Sequence, residues 1–331
     1  MKIVLLFGGR SAEHDVSVLS AAYVYTRLSS LGHHVLPIGI AKDGSLLLSL
    51  GAPSGTWQKN ARPVVLTLEK STLLFLCDGE RIAPDLVFSV VHGKDGEDGA
   101  WQGLFTLART PFVGAGVAAS AMGMNKRLSK LLAKQAGVPT VPYLAVKRYS
   151  DDLPARVAYR LRYPLFVKPT SGGSSVGASR VENEAALKDA VHLALSEDEE
   201  ALIEEAVDGS ELEVGVLERD GQLLLSPPGE LRPKGAFYDY NAKYLEKTTE
   251  FFLPANLSFW ETAYVKQLAA SVFRALGCRD MARVDFLRRH DGKIFFNEIN
   301  TLPGFTADSL FQKLFSLIGI DAVTFLTEGR A

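Results

Sequence analysis

Residues Met281–Asn300 read as one β-hairpin, and its charged side chains constrain the fold more tightly than any other segment. Asp291-Gly292 is a strong two-residue turn signal. With that turn, His290 faces Lys293, Asp285 lies opposite Glu298, and Arg283 lies opposite Asn300. The two-residue period of a strand puts these last four on one sheet face, with Val284, Phe286 and Ile299 on the other. Facing carboxylates about 5 Å apart repel by about 3 kcal/mol at an effective dielectric near 20, whereas a favourable cross-strand pair contributes only about 0.2–1 kcal/mol. The fold gains nothing from such a pair unless a cation sits between the acids. Oxygen donors alone (Asp285, Glu298, Asn300) suit a hard ion, Mg²⁺ or Mn²⁺, better than zinc. Exposure to solvent, or neutralisation by Arg283, is the alternative for the same face.

Hydrophobic residues make up 47% of the 331 and charged residues 22%, which suits globular cores in two or three domains rather than disorder. A net charge of −2 gives no reason to expect nucleic acid or an anionic membrane as partner. Cys77 and Cys278 stand far apart, and the six histidines form no HExxH pair, which argues against a disulfide scaffold or a zinc site. The opening apolar run Ile3–Phe7 ends at Gly8-Gly9, too short for a signal segment, and no later stretch reaches membrane-spanning length. A cytoplasmic protein is expected.

Residues 1–114 alternate strand and helix signals: strand 2–7, helix 16–31, strands 34–40 and 85–91, helix 99–109. That order predicts an open, mostly parallel α/β domain whose ligands favour the loops at strand C-terminal ends, here Gly8–Asp15 and His92–Gly99. Residues 115–203 contain a helix at 125–136, a short strand Leu165–Lys168 and a helix at 184–195. Residues 204–331 contain two hairpins, turned at Asp220-Gly221 and Asp291-Gly292. Between them a helix opens with a Ser258/Glu261 capping box, and Trp260, Tyr264, Leu268, Val272 and Leu276 are its expected buried stripe.

Several pieces suit an anionic ligand. No acid occurs between Asp98 and Asp151, although a run of surface lysines would look the same. Lys168 is held extended by Pro169, and Thr170–Gly177 supplies three glycines and four hydroxyls. The loop lacks the Walker A pattern, and a Gly/Ser turn is the plain alternative. Gly114–Ala119 matches the dinucleotide fingerprint GxGxxA, the basis of an oxidoreductase reading with NAD. No acid follows at the ribose-binding distance, so a close-packed turn entering a helix fits better. The aromatic, lysine-containing stretch 233–249 reads as a lid.

Four motifs in order, Gly8–Ser17, His92–Gly99, Phe237–Tyr244 and Asn297–Gly304, resemble the D-alanine–D-alanine ligases of the ATP-grasp superfamily. The resemblance runs from Gly8 to Leu310. It implies an α/β (α+β) fold of three domains, 1–114, 115–203 and 204–331, with ATP sandwiched between the last two. It implies that Lys126, Lys168, Glu204, Glu205, Val207, Glu211 and Lys243 bind the nucleotide. Asp285, Glu298 and Asn300 would hold Mg²⁺ or Mn²⁺, two ions per site. Glu13, Ser174 and Tyr244 would form a hydrogen-bonded group near the first D-alanine. His92, Arg283, Gly304, Ser309 and Leu310 would line the peptide-forming site. The implied activity joins two D-alanines through a D-alanyl phosphate for peptidoglycan precursors, in a homodimer; a D-lactate- or D-serine-adding relative is the nearest alternative. Trp101 stands where the family commonly has a smaller aliphatic, and Thr170-Ser171-Gly172 departs from commoner loops; neither removes a functional group.

Overall fold

The strand Lys2–Gly8 is buried almost throughout and runs parallel to His34–Ile40 on one side and Leu86–Ser89 on the other. A strand covered on both faces has no reason to alternate, which accounts for its unbroken aliphatic run. The computed structural model describes residues 1–233 and 249–330; the expected lid, with Lys243 and Tyr244, lies outside the described residues. Helix His14–Ser30 covers the sheet through Val18, Ala21, Val24 and Leu28. Two short strands, Leu46–Ser49 and Ala61–Pro63, extend the sheet antiparallel beyond His34–Ile40, so it is parallel only across the three strands named above. A separate antiparallel meander follows, Val65–Glu69, Thr72–Cys77 and Glu80–Ile82.

A second, four-stranded sheet has the order Ser179–Val181, Leu165–Pro169, Ala201–Glu205, Tyr143–Val146, antiparallel at every step. The expected boundary at 203/204 therefore cuts a strand. Ala201–Glu205 stays with this sheet, and the change of sheet comes at 206–208.

The third sheet has six strands among the described residues. Its path runs Thr249–Phe252, Gly229–Pro233, Gly209–Arg219, Met281–Arg289, Ile294–Asn300, with Gln222–Leu225 also paired to 209–219. Helices Val117–Met124 and Lys126–Gln135 pack on this sheet rather than on the four-stranded one with which they were grouped. Ala133 and Val138 share a core with Val284, Phe286, Phe296 and Ile299, and the Phe296 N–H donates to the Pro139 carbonyl at 2.8 Å. The closing helices Leu310–Ser316 and Ala322–Thr327 reach the N-terminal core, where Phe305, Phe311 and Leu326 join Ile3, Leu5 and Phe7. Chain order and core membership thus differ at both ends of the last domain.

Helix Phe259–Ala275 opens with the expected capping box, but its buried face is displaced. Trp260 and Tyr264 are 78% and 45% exposed, and Val265, Ala269 and Phe273 are buried beside Leu268 and Val272. Steps of four residues turn about 400°, so a strict i+4 series drifts about 40° per step off a straight stripe.

The metal hairpin departs from expectation twice, and the departures cancel. The Arg289 N–H donates to the Lys293 carbonyl, so the turn has three residues, His290–Gly292, with Gly292 left-handed at φ 85°. Arg288 then faces Ile294 and Phe286 faces Phe296. A β-bulge at Asn297 absorbs the extra residue, restoring Asp285 opposite Glu298 and Arg283 opposite Asn300.

Candidate active site

Two clefts adjoin at this hairpin and share Lys126, Gly172, Gly173, Ser174 and Glu298. The first lies between the four- and six-stranded sheets. Lys168, Glu204, Glu205, Val207, Glu211 and Asp285 line it with the glycine-rich loop. The second is closed by the N-terminal loops. Glu13, His92, Arg283, Gly304, Ser309 and Leu310 line it, with Asn300 on its floor. Every described candidate residue falls in one cleft or the other.

The strand Leu165–Pro169 aims Lys168 at the first cleft, where its Nζ lies 2.7 Å from Glu204 Oε2 and donates to Asn297 Oδ1 at 3.2 Å. Lys130, one turn after Lys126 on its helix, is fully buried, with Nζ 2.8 Å from Glu204 Oε1. Both oxygens of Glu204 are thus engaged by lysines. The implied adenine role would have to share this carboxylate with the ion pairs. Burial disfavours the Glu204 charge, yet the two lysines outweigh it and hold the carboxyl below its usual range. Burial pulls Lys130 down to about 8 against the pull of Glu204. Glu205 accepts the Arg162 N–H at 3.0 Å, tying the next residue to the loop after the helix Leu153–Arg160.

Lys126 sits where the clefts meet. Its Nζ donates to the Gly172 carbonyl at 2.6 Å and lies 3.2 Å from Glu298 Oε2. Ser174 and Ser175 both have positive φ, 53° and 58°, a conformation that costs about 1–2 kcal/mol per non-glycine residue. It carries the Ser174 hydroxyl onto Glu13 Oε1 at 2.6 Å, joining the glycine-rich loop to the N-terminal domain. Gly93, with φ 76°, permits that approach from below: a Cβ there would lie 2.8 Å from Glu13 Oε2.

His92 is buried between Glu97 and the first helix. Its Nδ1 lies 3.3 Å from Glu97 Oε1, and its Nε2 lies 3.1 Å from Ser20 Oγ, which also accepts the Phe305 N–H at 3.3 Å. Burial pushes the Glu97 carboxyl up, opposed by its bonds from His92 and the Gly93 N–H. Ser309 caps helix Leu310–Ser316 through the Gln312 N–H, so it shapes the loop carrying Gly304.

On the hairpin face, Arg283 donates from one edge of its guanidinium to both oxygens of Asp285, Nε to Oδ1 at 2.8 Å and a terminal N–H to Oδ2 at 2.7 Å. Asn300 donates to Asp285 Oδ2 at 2.9 Å, and Glu213 Oε2 lies 3.1 Å from Arg283 Nε. Burial opposes the Arg283 charge, but the flanking acids raise its pKa well above the ordinary value. The alternative of neutralisation by Arg283 thus describes this arrangement. No group of three or more His, Cys, Asp or Glu converges in metal-holding geometry among the described residues. The candidate set has two carboxylates and one amide oxygen, all oxygen donors on one face, and that chemistry fits a hard divalent cation.

Lys130, Glu97, Glu213 and Asn297 were not singled out from sequence. Lys130 is one of many lysines in its run. Glu97 lies inside a quoted motif, and Glu213 is two residues from Glu211 on one strand; both carried a signal that went unused.

The chain matches the family models for the D-ala D-ala ligase N-terminus over residues 2–115 and C-terminus over 132–328. The chain belongs to the D-alanine–D-alanine ligase family. It is 42% identical to D-alanine–D-alanine ligase A of Mesorhizobium japonicum, covering 96% of this chain and 93% of that one. It is 38% identical to the D-alanine–D-alanine ligase of Caldicellulosiruptor bescii, covering 97% and 91%. Among solved structures, the VanG D-Ala:D-Ser ligase of Enterococcus faecalis superposes with a TM-score of 0.90 at 35% identity over 98% and 97% of the two chains. The D-alanine–D-alanine ligase of Coxiella burnetii gives 0.87 at 30% identity over 98% and 92%. The fold is therefore ATP-grasp, and membership of this ligase family implies use of ATP and a divalent metal. Gly114–Ala119 lines neither cleft; the Gly114 N–H donates to Asp280 at 2.8 Å and the segment opens helix Val117–Met124, as a turn should.

Proposed function

We propose that the chain joins two D-alanine molecules to D-alanyl-D-alanine for peptidoglycan precursors, with release of ADP and phosphate. The observation that carries this reading is the junction of the two clefts. Lys126 and Glu298 belong to both, so a phosphoryl group bound in one is delivered beside a substrate bound in the other.

Lys126 and Lys168 would hold the nucleotide phosphates, with Glu204, Glu205, Val207 and Glu211 along the base and ribose side. Asp285, Glu298 and Asn300 would hold two Mg²⁺ or Mn²⁺ ions, which offset charge on the transferring phosphoryl group when bound. Glu13, its position fixed by Ser174, offers a carboxylate to the ammonium of the first D-alanine. The carboxylate of that D-alanine attacks the γ-phosphate, giving an acyl phosphate and ADP. The amine of the second then attacks the acyl carbon, and phosphate leaves. Arg283 and the Gly304 N–H would stabilise the oxyanion formed at that carbon. His92 and Leu310 would flank the second amino acid. Lys243 and Tyr244 belong to the proposed lid, which would exclude water from the acyl phosphate.

The domain reading that accompanies this is an N-terminal unit to about residue 114 and two ATP-grasp subdomains, with strand 201–205 assigned to the central one. No helix among the described residues is long and apolar enough to cross a membrane. A cytoplasmic homodimer is proposed from the family.

The second reading is a D-serine-adding enzyme, favoured by the VanG neighbour. Phosphate release with D-alanine alone, and with D-serine or D-lactate as competitor across pH, separates them. D-Alanine alone should sustain turnover, and dependence on D-serine or D-lactate would replace the proposal.

A further inference from the structure

Asp285 serves two claimants. Arg283 covers both of its oxygens, and Asn300 donates to one of them. The same carboxylate belongs to the proposed cation set, and a divalent ion there repels a guanidinium hydrogen-bonded to its own ligand. Arg283 must then loosen its hold on Asp285, yet its side chain is only 20% exposed and would be left short of counter-charge.

Glu213 stands where that counter-charge is needed. Its strand Gly209–Arg219 pairs with Met281–Arg289 so that Glu213 lies directly across from Asp285, on the same face. Glu213 is 5% exposed, and its Oε2 lies 3.1 Å from Arg283 Nε. Glu213 lines the second cleft and not the nucleotide cleft, whereas Asp285 lines the nucleotide cleft. Glu298, the other acid nearby, is already paired with Lys126 at 3.2 Å.

Resting on the ligase reading above, we infer that Glu213 is a positioning residue that receives Arg283 when a divalent cation takes Asp285. The fork geometry of arginine allows one edge to stay on Glu213 while the other turns into the second cleft. Cation binding and the aim of Arg283 at the second reaction step are thereby coupled through one carboxylate.

The test is Mn²⁺ binding, read by electron paramagnetic resonance of the unbound ion with a non-hydrolysable ATP analogue present. It is run on the wild type, Glu213→Gln, Arg283→Met and the double variant. Loss of Glu213 should weaken Mn²⁺ binding about tenfold in the wild type, within the range for residues of one ion-pair network, and less than about twofold once Arg283 is gone. Glu213→Asp should restore part of the affinity. An equal loss in both backgrounds means a plain charge effect and overturns the inference, as does no loss in either. Should Arg283→Met fail to fold, Arg283→Gln, which keeps polar contacts without the charge, takes its place with the same expectation. A wild-type protein that takes up no Mn²⁺ with nucleotide overturns the ligase reading itself, a result distinct from either outcome of the cycle.

Discussion

Glu204→Gln separates two roles for one carboxylate. The resemblance makes Glu204 part of the adenine-binding strand, whereas the structure puts it between Lys130 and Lys168 at 2.8 and 2.7 Å. Glutamine keeps the shape and one acceptor oxygen but removes the charge. Stripping one partner from a buried ion pair costs about 3–5 kcal/mol. Two features pull the cost to the lower end: Lys168 keeps a bond to Asn297 and borders the cleft, and Lys130 also donates to the Phe296 carbonyl. The expected loss is about 3 kcal/mol in urea unfolding at pH 7, with a rise in the Michaelis constant for ATP as Lys168 loses its ion pair with residue 204. The pH dependence is a second signature. Lys130 is depressed from 10.5 to about 8 with Glu204 present, and it must fall further without it. A depressed lysine contributes stability that is present above its unfolded pKa and lost as pH falls through its folded one. The variant should therefore regain stability relative to the wild type between pH 7 and 9, because a neutral Lys130 needs no counter-ion. A loss under about 1 kcal/mol with no pH trend, alongside weak ATP binding, would refute the clamp and favour a direct adenine contact.

Glu298→Ala should abolish Mg²⁺-dependent turnover yet cost under about 1 kcal/mol in thermal unfolding, since its pair with Lys126 is partly exposed; near-normal activity would remove it from the metal set. Arg283→Lys should spare ATP binding measured by calorimetry but slow dipeptide formation about 10²–10³-fold, the usual loss on removing an oxyanion donor. Wild-type joining of two alanines by that variant would refute the role. Lys243→Ala should slow acyl-phosphate formation in a single turnover more than it weakens ATP binding, and an unchanged single-turnover rate would count against the lid.

Long elements with continuous or periodic apolar patterning were legible in the sequence: the strand at 2–8, the helix at 14–30 and the capping box at Ser258 all follow from local signals. The strands between 46 and 82 are short and lie in the antiparallel extension of the first sheet or in a small separate sheet, so tertiary pairing rather than pattern decides them. The hairpin is the instructive element. Its turn holds one more residue than Asp291-Gly292 suggests, and only the bulge at Asn297 returns the acids to register. A bulge leaves no mark in hydrophobic alternation until its partner strand is known. It also brings the Asn297 side chain to Lys168, a contact that strict alternation would not provide. Lys126 and Lys130 show the limit for charge. They are one helical turn apart with the same side chain, yet one bridges two clefts and the other is sealed in a core, because a strand far along the sequence supplies Glu204.

The central claim is the reaction itself, and product analysis tests it most directly. Purified protein incubated with ATP, Mg²⁺ and D-alanine should yield D-alanyl-D-alanine with one ADP and one phosphate per dipeptide, and nothing with L-alanine. Dipeptide absent from a reaction that contains folded, nucleotide-binding protein, or phosphate release indifferent to D-alanine, would contradict it.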